Sequence, residues 1–154
     1  MAIIAPGASV PEFTLKSADD GTFSRQDLEG HTTVLAFFPF AFSGVCSDQF
    51  QIYQEVLEEI TEKGARIYGV STDAPDSQRA FRESLGVEIP MLSDFEPKGA
   101  TSRAFGAFFE PDGMATRALV VTGPDAVVRW SWIGEHPGIL PGANLVFDGL
   151  AAAS

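Results

Sequence analysis

Between Thr33 and Phe50 the chain reads TVLAFFPFAFSGVCSDQF, and this run restricts the possible fold more than any other. Thr33 to Phe38 is an unbroken series of apolar and β-forming residues, the pattern of a strand covered on both faces. Pro39 stops it, because proline brings no N–H to a ladder. From Gly44 the spacing turns helical. Cys46, Phe50, Tyr53, Val56, Leu57 and Ile60 share one side, while Asp48, Glu55, Glu58, Glu59 and Glu62 fall largely on the other as a solvated acidic face. Gly64 closes this helix.

Ala65 to Thr72 reads as the next strand, and Pro75 to Leu85 as a helix begun by Asp73 or Pro75 and ended by Gly86. Strand, helix, strand, helix in that order implies a βαβ crossover and a sheet that is at least partly parallel. Upstream, Val10 to Leu15 alternates before the turn cluster Ser17 to Gly21, and Thr22 to Ser24 returns, which predicts a hairpin. Ser24 to Gly30 reads as a one-turn helix. Downstream the expectations are a short strand over Ile89 to Ser93, a short helix within Asp94 to Ala104, and an irregular segment over Phe105 to Gly113. Thr116 to Thr122 and Ala126 to Ile133 flank Gly123-Pro124-Asp125 as a hairpin. A final helix from about Pro141 to Ala152 has Pro141 in its first turn and Leu145, Val146 and Leu150 facing inward. A βαβ half followed by a hairpin and a terminal helix is the layout of the α/β thioredoxin fold, here with an amino-terminal extension and an insertion before the hairpin. Residues 1–154 are expected to form one domain.

A chain of 154 residues with 13 Phe can bury a sizeable core. Its single cysteine excludes an internal disulfide, a CxxC pair and an all-cysteine metal site. No cofactor or metal is implied, since His31 and His136 stand in turns without companion ligands. A net charge of −11, with only three Lys and seven Arg, argues against nucleic acid and anionic membranes as partners. The same acidity hints at a high-salt cytoplasm, a reading the many phenylalanines weaken. MAIIAPGASV has no basic leader, and no window reaches the ~20 apolar residues of a membrane span, so a reducing cytoplasm is the expected location.

If Ser43 caps the helix, Gly44, Val45 and Cys46 fill its first three positions, where unpartnered N–H groups and the helix dipole favour a thiolate. That alone does not make a fast enzyme. For thiols in general, a pKa falling from ~8.5 to ~6 raises the thiolate fraction at neutral pH about 30-fold but lowers intrinsic nucleophilicity about 10-fold, a net gain of roughly two- to three-fold. A peroxide-reducing thiol therefore also needs a cation, a hydroxyl and free N–H groups to meet the charge developing on the leaving oxygen.

The run Pro39-Phe40-Ala41-Phe42-Ser43-Gly44-Val45-Cys46 resembles the peroxiredoxin motif P-x-x-x-[TS]-x-x-C, and the chain looks most similar to the one-cysteine members grouped with alkyl hydroperoxide reductase E. The likeness extends through VPEFTL, YGVSTD and TRALVV. It implies that Cys46 attacks a peroxide oxygen and becomes a sulfenic acid, with hydrogen peroxide, organic hydroperoxides or peroxynitrite as substrates. It implies that Pro39 shields the pocket, that Ser43 bonds the peroxide, that Gly44 or Val45 and Cys46 itself lend N–H groups, and that Arg117 pairs with thiolate and peroxide. Serine where most members carry threonine loses a methyl that stiffens the rotamer. With no resolving cysteine, the sulfenic acid must be reduced by an external thiol: a thioredoxin, a glutaredoxin-like protein or a low-molecular-weight thiol. A homodimer or higher assembly is implied as well.

Plainer readings stand beside these. A lone cysteine is often a buried, idle residue; Ser43 could be a cap alone; Arg117 could be a strand-end surface charge. Phe40, Phe42, Phe108, Phe109, Trp130 and Trp132 could be core, or some could line the peroxide's path or a dimer contact. At the level of function the alternatives are a peroxide sensor that relays oxidation to a client, and a non-catalytic thioredoxin-like module.

Overall fold

The computed structural model describes residues 2–154. Its strands are β1 (Thr14–Ser17), β2 (Thr22–Ser24), β3 (Thr32–Phe37), β4 (Ala65–Ser71), β5 (Met91–Ser93), β6 (Phe108–Phe109), β7 (Met114–Ala115), β8 (Ala118–Thr122) and β9 (Val128–Ile133). Its helices are α1 (Gly44–Glu55), α2 (Leu57–Glu62), α3 (Pro75–Leu85), α4 (Ala100–Phe105) and α5 (Ala143–Ala153). Seven strands form one sheet in the order β2-β1-β5-β4-β3-β8-β9. β3, β4 and β5 run parallel, β8 runs antiparallel to β3, β9 runs antiparallel to β8, and β1–β2 is the added hairpin. This is the thioredoxin-type arrangement, with β3 near its centre.

The apolar run at β3 fills both faces of the sheet in alternation. Val34, Ala36 and Phe38 join a core with Phe50, Tyr53, Ile60, Phe81, Val146 and Leu150, which brings α1, α2, α3 and α5 to one face. Leu35 and Phe37 join the other core with Phe13, Val70, Phe105 and Val120. Gly69 in β4 allows α1 to settle this closely, for a Cβ there would stand 2.9 Å from the Phe50 ring and 2.5 Å from the Met91 sulfur. Phe50 is fully buried and meets Phe38 edge-on at 4.8 Å between ring centroids. Burial of a ring this size stabilises by roughly 1.5–3 kcal/mol, so α1 and the thiol it carries are held firmly against the sheet.

Several sequence expectations are corrected. Val10 to Phe13 is no strand: Pro11 has no N–H, and Val10 N–H bonds Ala126 O at 3.0 Å beside the β8–β9 turn. The long helix breaks at Val56, whose N–H reaches Tyr53 O at 3.2 Å, three residues back rather than four, and α2 then buries Ile60. The short strand begins at Met91 because Pro90 cannot join the ladder through nitrogen. The short helix expected within Asp94 to Ala104 is present as α4, starting at Ala100, and the Asp94 carboxylate accepts from the N–H groups of Thr101 and Ser102 at 3.1 and 2.7 Å, anchoring its start from outside. The segment expected to be irregular, Phe105 to Gly113, contains β6, which pairs with β7 just beyond it, Phe108 opposite Ala115. The last helix begins at Ala143, leaving Pro141 in the preceding loop and Leu145 only partly buried.

Candidate active site

β3 leaves the sheet at Phe37, and Phe38 N–H still bonds Val70 O of β4 at 2.9 Å. Pro39 is buried and turns the chain away. Ala41 N–H then meets the carboxylate of Asp73, Oδ2 at 2.8 Å. Phe42 takes a left-handed backbone, φ 69°, uncommon for a bulky residue and costing of order 1–3 kcal/mol. Its ring lies edge-on to Phe81 of α3 at 5.4 Å, a contact that helps offset the strain.

Ser43 caps α1 in an extended conformation, and its Oγ accepts the N–H of Cys46 at 3.1 Å. The cap therefore engages the very N–H that the family resemblance leaves to substrate. Gly44 and Val45 carry N–H groups with no hydrogen-bond partner among the described residues. The Ser43 hydroxyl proton has no acceptor among them either, so this oxygen holds the helix and can still donate. Cys46 itself is fully buried and takes part in no disulfide. Ser43→Ala is expected to destabilise the protein by about 1 kcal/mol, as lost caps do, and to slow the thiol's reaction with peroxide about tenfold or more. Thermal unfolding and stopped-flow kinetics on one preparation measure both, and a loss of stability with an unchanged rate would leave Ser43 a cap alone.

Arg117 is not a surface charge; it is 2% exposed. The β3–β8 register sets Ala118 opposite Phe37, so Arg117 arrives beside the exit of β3. Its Nε donates to Pro137 O at 2.6 Å and its Nη1 to Gln49 Oε1 at 2.7 Å. Gln49 Nε2 in turn donates to the Tyr53 hydroxyl at 3.0 Å, which donates to Pro141 O at 2.7 Å. Burial pushes the Tyr53 phenol well above its ordinary pKa, against the opposing pull of the Gln49 hydrogen bond and the Arg117 charge, so Tyr53 stays a neutral donor. Gln49 follows Cys46 by three residues, and side chains at that spacing share a helix face. The arginine is thus tied to α1 one turn along from the thiol, and its Nη2 has no hydrogen bond among the described residues.

Gln49, Tyr53 and Asp73 are the site residues the sequence reading missed in these roles. Gln49 was detectable as a lone amide on the apolar stripe of α1, where an unpaired polar group would be costly. Of the two starts the pattern offers for α3, Asp73 or Pro75, the helix begins at Pro75 with Ala74 as its N-cap, which leaves the Asp73 carboxylate free for the loop. The aromatics divide: Phe40 and Phe42 are 48% and 58% exposed, Phe108 is buried, and Trp130 and Trp132 rest partly buried on the core beneath α5. A cleft of about 560 Å³ opens against Pro39 and Phe40, lined also by Asp73, Phe95, Lys98 and Met114. His136 stands in a turn, its Nδ1 accepting from Gly138 N–H at 3.1 Å. Among the described residues no cluster of three or more His, Cys, Asp or Glu could hold a metal.

Residues 6–131 match the AhpC/TSA family. Alkyl hydroperoxide reductase E of Mycobacterium tuberculosis is 31% identical over 147 residues, 95% of each chain. Peroxiredoxin TSA1 of Saccharomyces cerevisiae is 32% identical over 137 residues, 82% of this chain and 69% of that one. Among solved structures, AhpC of Enterococcus faecalis superposes with a TM-score of 0.87 at 27% identity, covering 96% of this chain and 90% of its own.

Proposed function

The chain belongs to the AhpC/TSA family and is a thiol-dependent peroxidase of peroxiredoxin type, and on that premise we propose that Cys46 is the residue at which peroxide is reduced. The Cys46 thiolate attacks the terminal oxygen of ROOH. An S–O bond forms, the O–O bond breaks, and RO⁻ departs and takes a proton to leave as water or an alcohol. Ser43 Oγ, the N–H groups of Gly44 and Val45 and the Nη2 of Arg117 are the donors for the two peroxide oxygens, while Pro39 keeps solvent from the sulfur. What carries this reading is one juxtaposition: the only cysteine stands at the third position of a capped helix, with a buried arginine fastened to the same helix one turn on.

The sulfenic acid condenses with an external thiol, releasing water and forming a mixed disulfide, and a second thiol then frees Cys46 as the two outside sulfurs join. We assign the reductant to the class of thioredoxins, glutaredoxin-like proteins or small thiols, and hydrogen peroxide, organic hydroperoxides or peroxynitrite to the substrate. The relatives are named for reductase and peroxiredoxin activity, which favours this over a relay to client proteins or an idle module. Residues 1–154 act as one domain, with both cores built on a single sheet. Among the described residues no helix is long and apolar enough to cross a membrane, and we place the enzyme in the cytoplasm as a homodimer. Exposed Phe40, Phe42 and Phe95 offer apolar surface that such a dimer would cover.

The test is turnover. Under steady peroxide supply a dithiol or thioredoxin-type system is expected to sustain consumption over many cycles, and sedimentation of the same preparation to report twice the 16.5 kDa chain mass. Oxidation of Cys46 no faster than that of free glutathione would end the peroxidase reading.

A further inference from the structure

We propose that Asp73 is a positioning residue for the peroxide reaction, holding the loop before Cys46 in its reactive shape. The inference rests on the assignment of Cys46 as the reacting thiol. The loop 39–42 has little else to fix its backbone. Pro39 has no N–H, and Ala41 N–H to Asp73 Oδ2, 2.8 Å, is the one hydrogen bond made by an N–H of these four residues among the described part of the chain. The acceptor lies 32 residues away at the carboxyl end of β4. Because β3 and β4 are parallel, both open at the same end of the sheet, and the loop leaving one comes within reach of the residue leaving the other.

Asp73 is itself held by two serines. The Ser71 hydroxyl donates to the same Oδ2 at 2.7 Å, and Ser71 Oγ receives Nε2 of buried Gln78 from α3 at 2.9 Å. The Ser93 hydroxyl of β5 donates to Asp73 O at 2.5 Å. The carboxylate is thus positioned by Ser71 and its backbone by Ser93, and the loop it fixes carries strained Phe42 immediately before Ser43. Releasing Ala41 lets Phe42 relax toward ordinary backbone angles, which moves Ser43 Oγ and the first N–H groups of α1 relative to the sulfur. Displacements of about 1 Å in such constellations cost on the order of 100-fold in rate.

One oxygen, Oδ2, accepts both bonds, and Oδ1 makes none among the described residues, so an asparagine carbonyl can reproduce the arrangement. The expected results follow from that chemistry. Asp73→Ala slows the stopped-flow reaction of Cys46 with hydrogen peroxide about 10- to 100-fold. In the same variant alkylation by iodoacetamide, which needs no peroxide pocket, becomes faster as the loop loosens over the buried thiol. Asp73→Asn restores both rates to within about threefold of the parent, since its carbonyl keeps two lone pairs. A peroxide rate in Asp73→Ala within threefold of the parent overturns the proposal, as does an Asp73→Asn variant as slow as the alanine. If Asp73→Ala yields no folded protein, Ser71→Ala carries the test: it leaves Ala41 its acceptor but frees the carboxylate to rotate, and an unchanged peroxide rate there is equally fatal. A parent protein whose thiol reacts slowly would instead sink the Cys46 assignment.

Discussion

Cys46→Ser is expected to lower the reaction with hydrogen peroxide by at least about 10³-fold, to a level at which added dithiol sustains no turnover. A serine hydroxyl at neutral pH is almost wholly un-ionised, and the described residues around it, Ser43, Gln49 and Arg117, include no group that readily takes its proton. The electron pair that makes the S–O bond is therefore lost while the donors remain. The substitution also places a hydroxyl at a fully buried position in the core of Phe38, Phe50 and Phe81. Without a partner such a group costs ~1–3 kcal/mol, so some loss of stability accompanies the lost activity. Cys46→Ala separates the two effects, because it adds no polar atom and is expected to be just as inactive. Peroxide consumption within tenfold of the parent in either variant would mean that the chemistry does not pass through this sulfur.

The position of the thiol was legible because three local signals agree: an apolar run with its proline stop, a serine with cap chemistry, and a helical stripe beginning at Cys46. Each depends on residues a few positions apart, and local propensity and burial point the same way. The hydrogen bonds that arrange the site were not legible, because they join residues far apart in the chain. Ala41 and Asp73 meet only once β3 and β4 have paired, and Arg117 and Gln49 only once β8 has docked beside β3. The small errors in element boundaries have a common origin. Pro11 and Pro90 delete ladder donors, and Asp73, one of the two residues offered as the start of α3, uses its carboxylate on the distant N–H of Ala41 while the helix begins at the other, Pro75. The buried setting of Arg117 differs most from the plain reading of a charged residue at a strand end. A guanidinium is tolerated there because Pro137 O and Gln49 Oε1 accept from it, and neither acceptor can be inferred from the residues around position 117.

That setting raises the expected consequence of Arg117→Ala on two counts. The truncation leaves Gln49 Oε1 and Pro137 O without their donor, a loss of about 1–3 kcal/mol for buried acceptors. The reaction with peroxide is expected to slow by about 10²- to 10³-fold, the usual consequence of removing a preorganised donor from the charge that forms in the transition state. Converted to a barrier, that rate loss is about 2.7–4.1 kcal/mol. The two numbers are similar in size but separable by experiment. A domain stable by ~5–15 kcal/mol remains almost wholly folded after losing two, so instability alone barely changes the amount of active protein, whereas the rate deficit persists at every temperature below unfolding. Arg117→Lys sharpens the point. A lysine keeps the charge, but one ammonium on a flexible stem cannot serve Pro137 O, Gln49 and a peroxide at once as the planar fork does, and at least a tenfold deficit is expected to remain. Gln49→Ala keeps the guanidinium and removes its tether to α1, so its rate is expected to fall between those of the parent and Arg117→Ala. If Arg117→Ala reacts with peroxide within threefold of the parent while its unfolding temperature drops, the arginine only braces the β9–α5 loop against α1, and the charge that meets the departing oxygen comes from the helix start alone.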